Sequence, residues 1–372
     1  MSDLLSEFDG WLHVSGPAAL VIREFLIPVE GRDGVLFPPT FAASQDGSFK
    51  GGYNIDRFPD GKNICLIDSV GSQANRIEPM FATPGYRGLV PQIVVVAGGR
   101  RINLLDAGHR AGDAIVRCSA LQQELQDAFL AVRAGNAGPL ARIAPTSLVF
   151  GAWDSRDTQA KLPRLIASTI RAHDVRALTR SAQYVPATDY VENGLLDEPT
   201  DKKTKDGYAE RGFVHVPASA SPGGIIADGG IRRDAALHLA ALRTWSTDGD
   251  AQTIRTFRRY VLGLALTAFT GPSAGYLRQG CNLVLDPDRP REVVAVHADG
   301  RREPLDLAHE HAVRYAEAAA QAFGLDPHRT IDPKTLPDRE VPFDSELAKK
   351  DVAGDSESGQ KKSKRAATRK HT

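Results

Sequence analysis

Runs of β-forming residues and segments of helical spacing alternate along this chain with no fixed βαβ period, and that interleaving constrains the fold most. It implies an α+β architecture and excludes a Rossmann or barrel series. Residues 18–28, with Val21, Ile22, Phe25 and Ile27, read as a first strand. The Gly- and Pro-rich stretch 30–62 reads as a functional loop or finger. Residues 64–70 (ICLIDSV) read as a buried strand running into a helix near 71. QIVVVA (92–97) and INLL (102–105) flank two glycines and two arginines, a hairpin signature. Helical spacing predicts one helix over 113–134, stopped by Gly135, and others over 253–269 and 305–323. TSLVFGAW (146–153) reads as a strand, and 161–174 as a helix with Pro163 in its first turn. Residues 231–245 read as a helix, and 282–285 and 292–297 as strands. Between 184 and 221, short β-like pieces around a polar connector predict an inserted extended arm.

A chain of 372 residues can bury a large core, and 42% hydrophobic residues make it neither disordered nor fibrous. Periodicity fades after 333. The fold is therefore assigned to 1–332, and 333–372, ending in the basic run KKSKRAATRK, to a disordered charged tail. Cys65, Cys118 and Cys281 are odd in number and lack metal-ligand spacing, which implies reduced thiols, no metal site and no disulfide framework. Residues 1–9 show no leader pattern, and no apolar run is long enough to span a bilayer. The expected location is cytoplasmic, with no membrane partner.

Motifs for catalysis are decoys or missing. GPSAG (271–275) matches the G-x-S-x-G elbow, but a helix precedes Ser273 where a hydrolase needs a strand, and Pro272 fixes φ beside it. His309-Glu310-His311 lacks the i, i+4 spacing of a helical metal pair, and His173-Asp174 stands alone; both read as surface residues. Neither nucleotide-binding glycine fingerprint is present. No cofactor and no catalytic residue are expected.

Basic stretches carry the positive signal. Lys plus Arg (46) equals Asp plus Glu (46), so any hold on nucleic acid must be local. The stretch 153–164 places Arg156, Thr158, Gln159, Lys161 and Arg164 at what reads as a helix start, with Arg171 one heptad beyond Arg164. Ser69, Ser72, Gln73, Asn75 and Arg76 sit at a strand-to-helix turn, and Arg232 and Arg233 follow two glycines at another expected helix start. Lys202, Lys203 and Lys205 lie near Tyr208 and Phe213, an interleaving that suits single-stranded nucleic acid.

At CLIDSVGSQANRIEP (65–79), NLLDAGHRAGDAIVR (103–117), SLVFGAWDSRDTQAKLPRL (147–165), YVPATDY (184–190), DEPTDKKTKDGYAERGFVHVPAS (197–219) and IADGGIRRDAALHLAALR (226–243) the chain resembles the RAMP-superfamily, Cas-seven-type backbone subunit of type I-G (formerly I-U) CRISPR effector complexes. The resemblance covers about 16–323. It implies a modified RRM-like (ferredoxin-like) palm with inserted finger and thumb-like elements, several copies side by side in a helical filament along one CRISPR RNA, contact with other effector subunits, and target DNA reached through guide pairing. Cleavage is then expected from another protein. His109 and Arg110 join the RNA-binding set through this likeness, and the arm at 184–213 becomes the candidate thumb. The alternative is an RNA endonuclease of the same superfamily, for which His109, Asp154 and Asp157 are the attractive acid-base residues.

Overall fold

The computed structural model describes residues 2–271, 275–328 and 338–353. Strict alternation of burial marks β1 (Ala19–Pro28): Leu20, Ile22, Glu24, Leu26 and Pro28 are buried, and the residues between them only partly so. That is the period of a strand covered on one face. Along the chain follow β2 (Asn63–Asp68), α1 (Val70–Ile77), the hairpin of β3 (Ile93–Ala97) and β4 (Arg100–Asn103), α2 (Gln122–Arg133), α3 (Thr146–Phe150) and β5 (Ile166–His173). Then come β6 (Val175–Tyr184), α4 (Lys202–Glu210), β7 (Val216–Ala227), β8 (Ile231–Leu237), α5 (Ala251–Thr270), β9 (Cys281–Leu285), β10 (Glu292–Val296), α6 (His309–Ala322) and β11 (Arg339–Pro342).

The main sheet is curled and antiparallel, and β1 lies at its centre. One edge of β1 pairs with β8, from Leu20↔Leu237 to Leu26↔Ile231. Its other edge pairs first with β10 and then, beyond Arg23, with β9. β8 pairs with β5, and β5 with β2. Among β1, β5, β8 and β10 the spatial order is therefore fourth, first, third, second. β11 runs parallel to β3 in a separate small sheet with β4.

Helices α5 and α6 cover one face of the sheet around Leu20 and Ile22, with Phe257, Tyr260, Phe269 and Tyr315 buried in the same cluster. Their close approach depends on Gly263, where a Cβ would come within 2.8 Å of the Ala316 Cα. A second cluster, including Leu26, Leu36, Ile67, Ile170 and Ile225, lies at the base of the arm. The arm is a long hairpin of β6 and β7 with α4 between them.

Several expectations fail for identifiable reasons. Residues 146–153 begin as a short helix, α3, not a strand. All five of its residues are buried, and a continuous apolar run cannot distinguish the two states. Residues 161–174 hold no helix: β5 starts at Ile166, and Pro163 lies in the preceding loop. Residues 231–245 form β8 and a single short helical turn (Leu239–Leu242), because Ile231, Arg233, Ala235 and Leu237 alternate inward. The helix expected at 113–134 breaks at 118–121, where Ser119 bridges to Phe343. That bridge also corrects the boundary at 333: Arg339–Pro342 completes a sheet, Phe343 packs on the core, and Asp351 pairs with Arg117 at 2.7 Å. The basic run at 361–370 and the GPSAG residues 272–274 lie outside the described residues. Among the described residues no helix is long and apolar enough to cross a membrane. Cys65, Cys118 and Cys281 are buried free thiols, and burial pushes Cys65 up to about 12.

Candidate nucleic-acid interface

Two sequence-distant segments converge beside α1: residues 108–117, a loop running into the short helix Ala114–Arg117, and the connection from Gly151 to Arg164 that links α3 to β5. They enclose a cleft of about 800 Å³ lined by Asn75, His109, Arg110, Arg117, Trp153, Arg156, Lys161 and Arg164, among others. No carboxylate among the described residues belongs to that lining. Among the described residues, neither Lys161 nor Arg164 has a carboxylate partner.

Glycine shapes the cleft where side chains would block it. Gly151 has φ 77°, and a Cβ there would lie 2.7 Å from the Arg164 Cγ and 3.0 Å from the Leu162 carbonyl. Arg164 donates from Nε to the Phe150 carbonyl at 3.1 Å, and its Nη2 reaches over the first turn of α1, 3.9 Å from where a Gly71 Cβ would stand. Ser69 caps that turn by accepting from the Ser72 amide. A helix start and an exposed guanidinium thus face the same space, a geometry suited to phosphate.

The 153–164 loop is held from within by Asp154, which is 3% exposed. Its Oδ2 accepts from the Thr158 amide at 2.7 Å and the Thr158 hydroxyl at 2.6 Å, and its Oδ1 from the Asp157 amide. Burial pushes the Asp154 carboxyl up, but the hydrogen bonds from Thr158 outweigh it and hold the group below its usual value. Backbone bonds from Asp154 to Ala160 and from Leu162 to Ala152 close the loop, and Arg133 grips the Thr158 carbonyl from α2. The Lys161 ammonium lies 5.8 Å from the Trp153 ring centroid.

The sequence-derived residues divide sharply. Asn75, His109, Arg110, Arg156, Lys161 and Arg164 all line the cleft. Arg110 is a strut under it rather than a surface contact: it is 3% exposed, has φ 55°, pairs with the buried Glu78 at 2.5 Å and donates to Asn75 at 3.1 Å. Thr158 is buried within the loop, and Gln159, at φ 58°, bonds to the Ser155 carbonyl. Gln73 is also buried, bridging Asp68 to Ser168 across the helix–sheet junction. Ser72 and Arg76 both turn to the same Asp68, which Arg278 also meets at 3.1 Å.

Arg232 and Arg233 do not begin a helix. Arg233 is buried against Glu24 at 2.5 Å, while Arg232 pairs with Asp234 and faces Arg171 across the β5–β8 register. Arg171 donates to the neighbouring Thr169. Lys202, Lys203 and Lys205 are exposed on α4 in the arm. The aromatic residues near them pack on each other, with Phe213 centroids 5.1 Å from Tyr190 and 6.2 Å from Tyr208. His309 is not a surface residue: it is half-buried and bridges Tyr86 and Thr270 at 2.9 Å each. Sequence reading missed Arg117, whose Asp351 partner lies in the expected tail, and passed over Trp153 as a contact.

Comparison with curated proteins gives no match. Residues 20–177, less than half of the chain but the whole lining of the cleft, match the family model described as CRISPR-associated protein GSU0053 (Cas_GSU0053), which supports a CRISPR-associated role.

Proposed function

We propose that this chain is an RNA-binding backbone subunit of a type I CRISPR effector complex, of the RAMP-superfamily type I-G kind. Copies lie side by side along CRISPR RNA, contact other effector subunits and present the guide to target DNA. The carrying observation is the carboxylate-free cleft, lined by Arg156, Lys161 and Arg164 within the segment that matches a CRISPR-associated family. The β10–β1–β8–β5 order, with helical crossovers between β1 and β5 and between β8 and β10, supports an RRM-like (ferredoxin-like) palm. The β6–β7 arm with Lys202, Lys203 and Lys205 supports a thumb-like element.

The test is binding of labelled single-stranded RNA of graded length over a range of salt. Affinity should rise with length, show little sequence preference, and fall with a log–log salt slope of about −2 to −3 for three or four phosphates per copy. A slope near zero would remove the reading. The endonuclease alternative finds His109 exposed in the cleft, but Asp154 is committed to Thr158, and Asp157 accepts from Gln126 at 3.0 Å. RNA incubated with the protein should stay intact with Mg²⁺ and with chelator alike. Cleavage lost on His109→Ala would favour the nuclease.

A further inference from the structure

We infer that Trp153 is a base-stacking platform at the rim of the cleft, so that each copy holds one nucleobase as well as RNA backbone. The inference rests on the reading of the cleft as an RNA site. Trp153 is 59% exposed, although Ala152 and Asp154 on either side are 9% and 3% exposed. The other two tryptophans pack against the core: Trp245 is 8% exposed, and Trp11 is partly buried and stacks on Phe8 with centroids 4.4 Å apart. An indole left in water beside a cationic cleft has no role in this chain's own core.

The Trp153 backbone is fixed in place. It pairs with Lys161, and Gly112 packs so closely that a Cβ there would lie 3.1 Å from the Trp153 carbonyl. The turn built on Asp154 follows immediately. Little backbone ordering therefore remains to be done when a flat partner arrives. The ring is more than half exposed, the Lys161 ammonium that lies over it matches the adjoining phosphate, and Arg164 lines the same cleft. Stacking of this kind accepts any base, as a subunit that repeats along a variable guide requires.

The test compares ordinary single-stranded RNA with abasic RNA of equal length, using the full chain and its Trp153→Ala and Trp153→Phe variants. Trp153→Ala should weaken ordinary RNA about tenfold, and Trp153→Phe should stay near wild type. Abasic RNA should bind the wild type about tenfold more weakly and be indifferent to Trp153→Ala. Equal losses on both RNAs, or no loss on either, would overturn the inference; no loss would point instead to a protein partner for the indole. The Arg156, Lys161 and Arg164 alanine variant separates the two levels. If it weakens both RNAs while Trp153→Ala weakens neither, stacking alone fails. If it weakens neither RNA, the RNA reading itself fails.

Discussion

Replacing Arg156, Lys161 and Arg164 together with alanine should weaken single-stranded RNA binding about 100-fold near physiological salt, at roughly 1 kcal/mol per charged contact. The log–log salt slope should become shallower by about 2, since each lost phosphate contact removes about 0.7 on a single strand. All three side chains are exposed and line the cleft, so the fold should survive, and an unchanged melting temperature checks this. A matched Arg76, Arg171 and Arg232 alanine variant is the informative contrast. Those guanidiniums serve Asp68, Thr169 and Asp234, and their loss should leave affinity within about threefold of wild type. Equal effects from the two triple variants would dissolve the distinction between cleft and sheet.

The second large effect concerns what holds the cleft floor. Arg110→Ala should cost up to about 1.4 kcal/mol more stability at pH 8 than at pH 5, because one pH unit above its folded-state value Glu78 is left buried without a counter-charge. Burial already pushes Glu78 up to about 7, even with Arg110 pulling the other way. The folded protein therefore keeps a proton that the unfolded chain releases near 4.5, and wild-type stability contributed by this group falls as pH rises from about 4.5 to about 7. Without Arg110 the carboxyl should hold its proton to still higher pH, so the variant's deficit should shrink toward pH 5. Glu78→Gln should flatten the pH dependence in that window. The double variant Glu78→Gln, Arg110→Met should regain much of the loss, since neither charge is then stranded. Chemical denaturation of the four proteins at pH 5, 6, 7 and 8 reads all of this. A deficit for Arg110→Ala that does not change with pH would show that Glu78 is not its cause.

Much of the frame was legible because its signals are local. The apolar run over 18–28 marked β1, the glycines at 98 and 99 marked the β3–β4 turn, and long apolar spacing marked α5 and α6. The misreadings share one physical origin. In β5 the inward residues include Ser168 and Ala172, too small or polar to announce a period of two, while Pro163 and the seven-residue step from Arg164 to Arg171 imitated a helix start. In β8 the inward Arg233 hid the alternation, because its burial depends on Glu24, more than two hundred residues earlier in the chain. β11 gives only Val341 to the core, so nothing in its own composition announced a strand.

The cleft was legible as pieces and not as a place. Asn75, His109 and the 156–164 stretch were each singled out, but residue type cannot show that Arg110 would be spent on Glu78 or Thr158 on Asp154. Trp153 illustrates the same limit from the other side. Residue type does not show whether an aromatic residue at the end of an apolar run is covered, and only the fold leaves it more than half exposed beside the cations.

The most direct test of the central claim is ultraviolet cross-linking of the full chain to single-stranded RNA, followed by peptide mapping. Cross-links concentrated in the peptide that carries Trp153 to Arg164, with a second cluster around His109, are the result this account predicts. Cross-links confined to the β6–β7 arm or to strands β1, β5 and β8 of the main sheet, with the cleft peptides unmodified, would contradict it.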